Sequence, residues 1–276
     1  TIDAYQTAAK QVAAWEPEVL IITSPHQIMY ADYFHISPGR GATGDMSAFG
    51  ASGTKLRLEY DAQLRDEIIR CGESADLRVG ILGQRDPYLD HGTFVPLYFL
   101  REAGVDCPIL RIGLSGFSPL DHYRLGQCIA QAVETLGRRA VFIASGDLSH
   151  KLKDDGPYGF APEGPEFDHQ ITEAMAEGDF LQFLTTDPAF CDRAAECGLR
   201  SFQIMAGALD GLDVEAKLLS YEGVTGVGYG VATFAVTGPN KNRHFGEQCA
   251  ELERTRLAEK KASEDSWVRL ARLSLE

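Results

Sequence analysis

Four short apolar runs constrain this chain more than any other feature. Glu18 to Thr23 reads EVLIIT, and comparable runs recur at Leu77 to Leu82, Ile109 to Leu114 and Ala140 to Ser145. An unbroken apolar run of strand length marks a strand buried on both faces. Helical patterns lie between the runs, at Tyr60 to Cys71, Phe94 to Ala103 and Asp121 to Leu136. Strands alternating with helices build βαβ units. The expectation is an α/β fold whose mostly parallel or mixed central sheet carries helices on both faces.

The flanking segments extend this reading. An Ala-rich helix is expected over Ile2 to Trp15, ended by Pro17. Further helices are expected at Pro165 to Glu177 and Ser201 to Leu209, then strands at Ala216 to Tyr221 and Gly230 to Val236. The stretch GVGYG (Gly226 to Gly230) lacks the GxGxxG spacing and reads as a turn into the last strand. The core domain is expected to end near Thr237-Gly238-Pro239, so residues 1–238 form one unit. Residues 239–262 are polar and helix-prone, a linker helix. Ser263 is the expected N-cap of a new amphipathic segment, 263–276, with Glu264 and Asp265 complementing the helix dipole.

Charge and cysteine usage exclude several functions. Asp and Glu number 40 against 26 Lys and Arg, a formal charge of −14. Nucleic-acid binding needs clustered basic residues, so a nucleic-acid partner is not expected. No apolar run approaches bilayer length, so no membrane span is expected. No signal peptide is expected, and the six cysteines form no CxxC pair. They read as reduced thiols of a cytoplasmic protein. The first residue is Thr1, and the natural N-terminus is expected to be missing.

Three histidines occupy informative positions. His26 follows the first buried run, His91 sits in Asp90-His91-Gly92 ahead of a helix, and His150 ends Ser145-Gly146-Asp147-Leu148-Ser149-His150. Open α/β sheets bind ligands beyond the carboxyl ends of their strands, where His26 and His150 fall. One such histidine is more often a hydrogen-bonded loop residue than a ligand, and no HExxH motif is present. Glu196 and Cys197 precede a further helix and offer a hard and a soft metal ligand side by side.

Taken in order, PEVLIITSPH, DYFHISPG, GDMSAFG, LDHGTFVPL, SGDLSH and ECGLRSFQIMAGAL resemble the LigB-like superfamily of class III extradiol ring-cleavage dioxygenases. The nearest subgroup by resemblance is that of the Memo-like proteins of the AmmeMemoRadiSam system. The likeness covers nearly all of Pro17 to Thr237. The tail SEDSWVRLARLSLE is similar to the start of an AMMECR-type domain, which would make 263–276 the opening of a truncated second domain.

The resemblance implies a non-haem Fe(II) site of two histidines and one carboxylate. His26 matches one histidine ligand and Glu196 the carboxylate. Cys197 stands where Memo-like proteins carry a cysteine ligand, so the two compete. The other family histidine belongs to an N-terminal segment absent from this sequence. His150 matches the catalytic acid/base and His91 a second active-site histidine. Asp147 and Ser149 flank His150 and are expected to orient it at the substrate. His35 is a candidate substitute for that absent metal histidine, and Asp147, Ser149 and His35 are the expected substrate-binding residues. Arg200 is the nearest candidate clamp for a substrate carboxylate.

The implied reaction inserts dioxygen into a catechol-type ring, with an aromatic diol and O2 as substrates. The competing reading is a Memo-like metal-binding or redox component holding copper or zinc and working with a radical-SAM partner. Family members are often homo-oligomers.

Overall fold

The computed structural model describes residues 1–274. Helix α1 (Ile2–Ala14) leads to strand β1 (Val19–Ser24), short β2 (Phe34–His35), the hairpin β3 (Gly41–Met46) and β4 (Ala51–Glu59), and α2 (Ala62–Ser74). Then come β5 (Val79–Gly80), α3 (His91–Glu102), β6 (Ile109–Gly113), α4 (Pro119–Leu136) and β7 (Ala140–Ala144). Helices α5 (Glu163–Glu177), α6 (Phe180–Thr185), α7 (Pro188–Ala194) and α8 (Leu199–Ala208) follow. The hairpin β8 (Leu212–Glu222) and β9 (Tyr229–Pro239) and helices α9 (Phe245–Ala262) and α10 (Ser266–Leu273) complete the chain.

β1 lies between β6 and β7, parallel to both, with Leu20 opposite Ile109 and Val141. Its alternating side chains feed two cores. Val19 and Ile21 meet Leu64 and Ile68 of α2 and Leu125 and Ile129 of α4. Leu20 and Ile22 meet Val12 of α1 and Phe94 and Leu97 of α3. That is why Val19 to Ile22 are all apolar: period-two alternation with helices on both faces leaves no polar side. Each such side chain contributes roughly 1.5–3 kcal/mol by leaving water.

A third core joins α5 to α8 with the β8–β9 hairpin, through Phe167, Phe180, Phe183 and Phe202. The architecture is mixed α/β, with helices on both faces of a small parallel sheet.

Several boundaries differ from the sequence reading. Only Val79 and Gly80 of the run Leu77 to Leu82 are strand, because β2 offers just two pairing residues; Ile81 and Leu82 are exposed. The β3–β4 hairpin went unread, since GATGDM has little strand propensity. α3 starts three residues before Phe94, at His91, because the Asp90 carboxylate accepts from Thr93 N and caps it. Ser263 does not cap α10. It follows α9 in a helical conformation, and Asp265 Oδ1 accepts from Trp267 N and Val268 N instead. α9 docks through Phe245 and Cys249, and its residues from Glu251 onward are exposed. Among the described residues no helix is long and apolar enough to cross a membrane.

Candidate active site

β1 and β7 are adjacent and parallel, so their carboxyl ends open into one crevice. Ser145 N donates to Thr23 O across it at 3.1 Å. As β1 ends, Ser24 Oγ donates to Asp90 Oδ1 at 2.7 Å and accepts from His26 N at 3.2 Å. Asp90 caps α3 and also accepts from Thr93 Oγ1 at 2.7 Å and from Arg111 at 3.2 Å. One buried carboxylate therefore ties the end of β1 to the start of α3. Burial alone would raise the Asp90 pKa, but bonds from Ser24 and Thr93 and the Arg111 charge hold it below the usual carboxylate range.

This tie brings two histidines together. The His26 and His91 ring centroids lie 4.0 Å apart. The intervening Gly92 has no room for a side chain: a Cβ would meet Ser24 Oγ at 2.6 Å and His26 Cδ2 at 3.2 Å. Pro96, inside α3, lacks the N–H that would satisfy Gly92 O. Ser145 Oγ donates to that carbonyl at 2.7 Å instead and links α3 to the loop after β7.

That loop carries His150. Asp147 O accepts from Cys197 N at 3.2 Å and Gly198 N at 2.9 Å, while Asp147 N donates to Cys197 Sγ at 3.2 Å. Gly146 and Gly198 pass so closely that a Cβ on Gly146 would lie 2.4 Å from Gly198 Cα. His150 Nδ1 bonds Ala195 O, and its Nε2 lies 3.5 Å from Asp147 Oδ2. Ala195 holds a left-handed φ of 54° at the end of α7, with its carbonyl on His150. Hydrogen bonding to Asp147, then to Cys197, outweighs burial and raises the His150 pKa to about 10. His26 shifts the other way: burial and then the His91 charge lower its pKa, with Asp147 and His150 also in its field.

Asp147, His150 and Cys197 present ligand atoms within 4.8 Å of one another, the group among the described residues that could hold a metal ion. Imidazole, carboxylate and thiol suit a divalent ion of borderline softness. A His150 Nδ1–H directed at a carbonyl leaves Nε2 for a ligand.

Of the other expected residues, Glu196 and Ser149 adjoin this group, whereas His35 lies apart from it on β2. Glu196 Oε2 accepts from Leu199 N at 2.7 Å, at the start of α8, and burial raises the Glu196 pKa. Arg200 is exposed and lowers that pKa by its charge. Ser149 is fully buried, its Oγ donating to Ala194 O and its N to Asp168 Oδ1, so it braces the loop. His35 is 2% exposed in β2, its ring edge-on to Tyr30, and burial and Arg111 lower its pKa.

Sequence reading missed the supports. Asp168 accepts from both Ser149 N and Tyr221 OH at 2.7 Å. Gly228, in the expected turn, exchanges backbone bonds with Leu148 and Ser149 and packs on Asp168 too closely for a Cβ. Asp90, Arg111 and Asp168 act over 19 to 66 positions, and no local pattern announces such partners. The one local signal was the charge of Arg111 inside an apolar run.

The family described as the catalytic LigB subunit of aromatic ring-opening dioxygenase matches residues 1–232. The chain belongs to the LigB family. This LigB domain is 35% identical over 285 residues to a Clostridium acetobutylicum protein whose name states no activity, covering all of this chain and 60% of that protein. It is 26% identical to the 2-aminophenol 1,6-dioxygenase beta subunit of a Pseudomonas species, over 83% of the chain and 81% of the relative. A 2,3-dihydroxyphenylpropionate/2,3-dihydroxicinnamic acid 1,2-dioxygenase of Escherichia coli is 29% identical over 157 residues, 52% of the chain and 47% of the relative. In fold the LigB domain is similar to the crystal structure of an uncharacterized Escherichia coli K12 protein, with a TM-score of 0.58 and 13% identity. That likeness covers 84% of this chain and 91% of the other.

Proposed function

We propose that this LigB domain cleaves a catechol-type aromatic ring next to its diol, using dioxygen and Fe(II). The observation that carries the reading is the meeting of three histidines in one crevice: the His26 and His91 ring centroids lie 4.0 Å apart and His150 stands in the field of His26, whose pKa is lowered while that of His150 is raised to about 10. Environments that push two titratable groups apart assign a base or ligand to one and an acid to the other. Neutral His26 is the ligand-competent form, and Cys197 or Glu196 would supply the anionic ligand. Bound iron would act as a Lewis acid that brings diol and dioxygen together. His91, 4.0 Å from His26, holds a substrate oxygen. His150 at neutral pH is an imidazolium and serves as proton donor. It becomes a base when added positive charge in the crevice lowers its pKa. Asp147 orients it and stabilises its charge.

A second reading rests on the convergence of Asp147, His150 and Cys197. The sulfur favours copper or zinc, and the domain would then be a Memo-like metal-binding or redox component. Anaerobic Fe(II) loading followed by oxygen uptake with catechol and protocatechuate-type acids separates the two. Uptake with one ring-opened product per O2 supports ring cleavage. No uptake, with tight copper or zinc binding that His150→Ala abolishes, supports the second.

A cytoplasmic location, self-association, and the division into domain 1–238, linker 239–262 and the opening of an AMMECR-type domain at 263–276 belong to the same proposal. The exposed Trp267, Val268 and Leu270 of α10 support the last point. A radical-SAM partner belongs to the second reading.

A further inference from the structure

Two aromatic side chains stand exposed where burial would be expected. Phe49 is 64% exposed and Tyr158 is 56% exposed. Phe49 lies edge-on to His91 with centroids 5.6 Å apart, and Tyr158 lies edge-on to His150 at 5.0 Å. They come from unrelated segments, the β3–β4 turn and the loop after His150, yet each meets one of the site's histidines.

Both are held in place by local devices. Asp45 Oδ1 accepts from Ser47 N at 2.9 Å, and Gly50 closes the turn in the left-handed region at φ 81°. Lys151 Nζ donates to Tyr158 O at 2.6 Å, and Leu152 bridges Phe160 across the base of that loop. An exposed aromatic adds little to folding, so ordered turns that hold two of them over reactive groups point to a ligand that covers them.

We infer that Phe49 and Tyr158 are the ring-selecting walls of the site, contacting the planar ring of the aromatic diol and favouring it over ligands without a ring. This rests on the ring-cleavage reading and deepens it. Aromatic pairs prefer offset or edge-on contacts, which a flat substrate offers and a ringless chelator does not.

The test is equilibrium binding to the full chain loaded anaerobically with Fe(II), with 4-nitrocatechol as aromatic probe and acetohydroxamate as ringless chelator. Phe49→Ala and Tyr158→Ala should each weaken 4-nitrocatechol roughly 3- to 10-fold and leave acetohydroxamate and iron content unchanged. Tyr158→Phe should bind like the parent. Unchanged 4-nitrocatechol affinity, or equal losses for both probes, overturns the inference while parental oxygen uptake leaves ring cleavage standing. A parent chain that binds no 4-nitrocatechol overturns both.

Discussion

The two sides of the crevice hold histidines by opposite means. On the β1–α3 side, Asp90 gathers Ser24, Thr93 and Arg111. It fixes the backbone of His26 through Ser24 and the start of α3 at His91, but takes no bond from either ring. On the β7–α8 side, the His150 ring itself is bonded to Ala195 and faces Asp147 and Cys197. Fixing only the backbone leaves the His26 ring to burial and the His91 charge, which lower its pKa, whereas bonding the His150 ring to Asp147, Cys197 and a carbonyl raises its own. One residue type thus becomes two chemical species by what touches its ring.

The largest expected effect tests the second side. In the ring-cleavage reading, His150→Ala lowers turnover by about 10²- to 10⁴-fold while iron content stays at the parental level, measured by oxygen uptake and metal analysis. Loss of metal together with activity would move His150 into the ligand set.

The next tests the first side. Arg111 is 1% exposed and Asp90 is 9% exposed in their pair. Arg111→Ala strands a buried carboxylate and should cost about 3–5 kcal/mol in urea unfolding. A loss below about 1 kcal/mol would show that Ser24 and Thr93 suffice to hold Asp90.

Titration sharpens the contrast. In the metal-free protein, NMR should find His150 protonated until about pH 10 and His26 losing its proton below its usual value. A raised folded pKa means that the His150 contribution to stability is complete below about pH 6.5 and is lost as pH rises through about 10. The His26 shift acts oppositely: stability falls as pH drops below about 6.5. Coincident titrations would erase the distinction between the two sides.

Two supports carry the smallest effects. Asp168→Asn replaces an acceptor shared by Ser149 N and Tyr221 OH. It should cost about 1–3 kcal/mol and lower turnover through the loop that carries His150. Ser145→Ala removes the donor to the carbonyl that Pro96 leaves free. It should cost about 1 kcal/mol in the same unfolding assay.

The central strands were readable because two-sided burial leaves a local mark. Every position of β1 is buried and Val19 to Ile22 each face a core, so that stretch is apolar without a break. His26 and His150 were readable for a related reason: they follow β1 and β7, and strand order alone sends both to one edge. The β3–β4 hairpin was not readable, since its Gly, Ser and Asp residues also suit a loop, and with it went Phe49. Asp90 looked like a neighbour of His91 and nothing more. Its work depends on Arg111, 21 positions away, and Ser24, 66 positions away.

By itself the chain's order of residues determined the α/β class, the family resemblance and the crevice in which chemistry is sought. These follow from periodicity and short motifs, which are local. Which donors converge was decided by tertiary structure alone. Glu196 and Cys197 are adjacent in sequence, yet the hydrogen bonds between Asp147 and residues 197–198 bring the thiol beside His150, while the carboxylate takes up Leu199 N at the start of α8. Protonation was decided there too, because a pKa reports the distance to partners and the depth of burial, and neither is written in the spacing of residues along the chain.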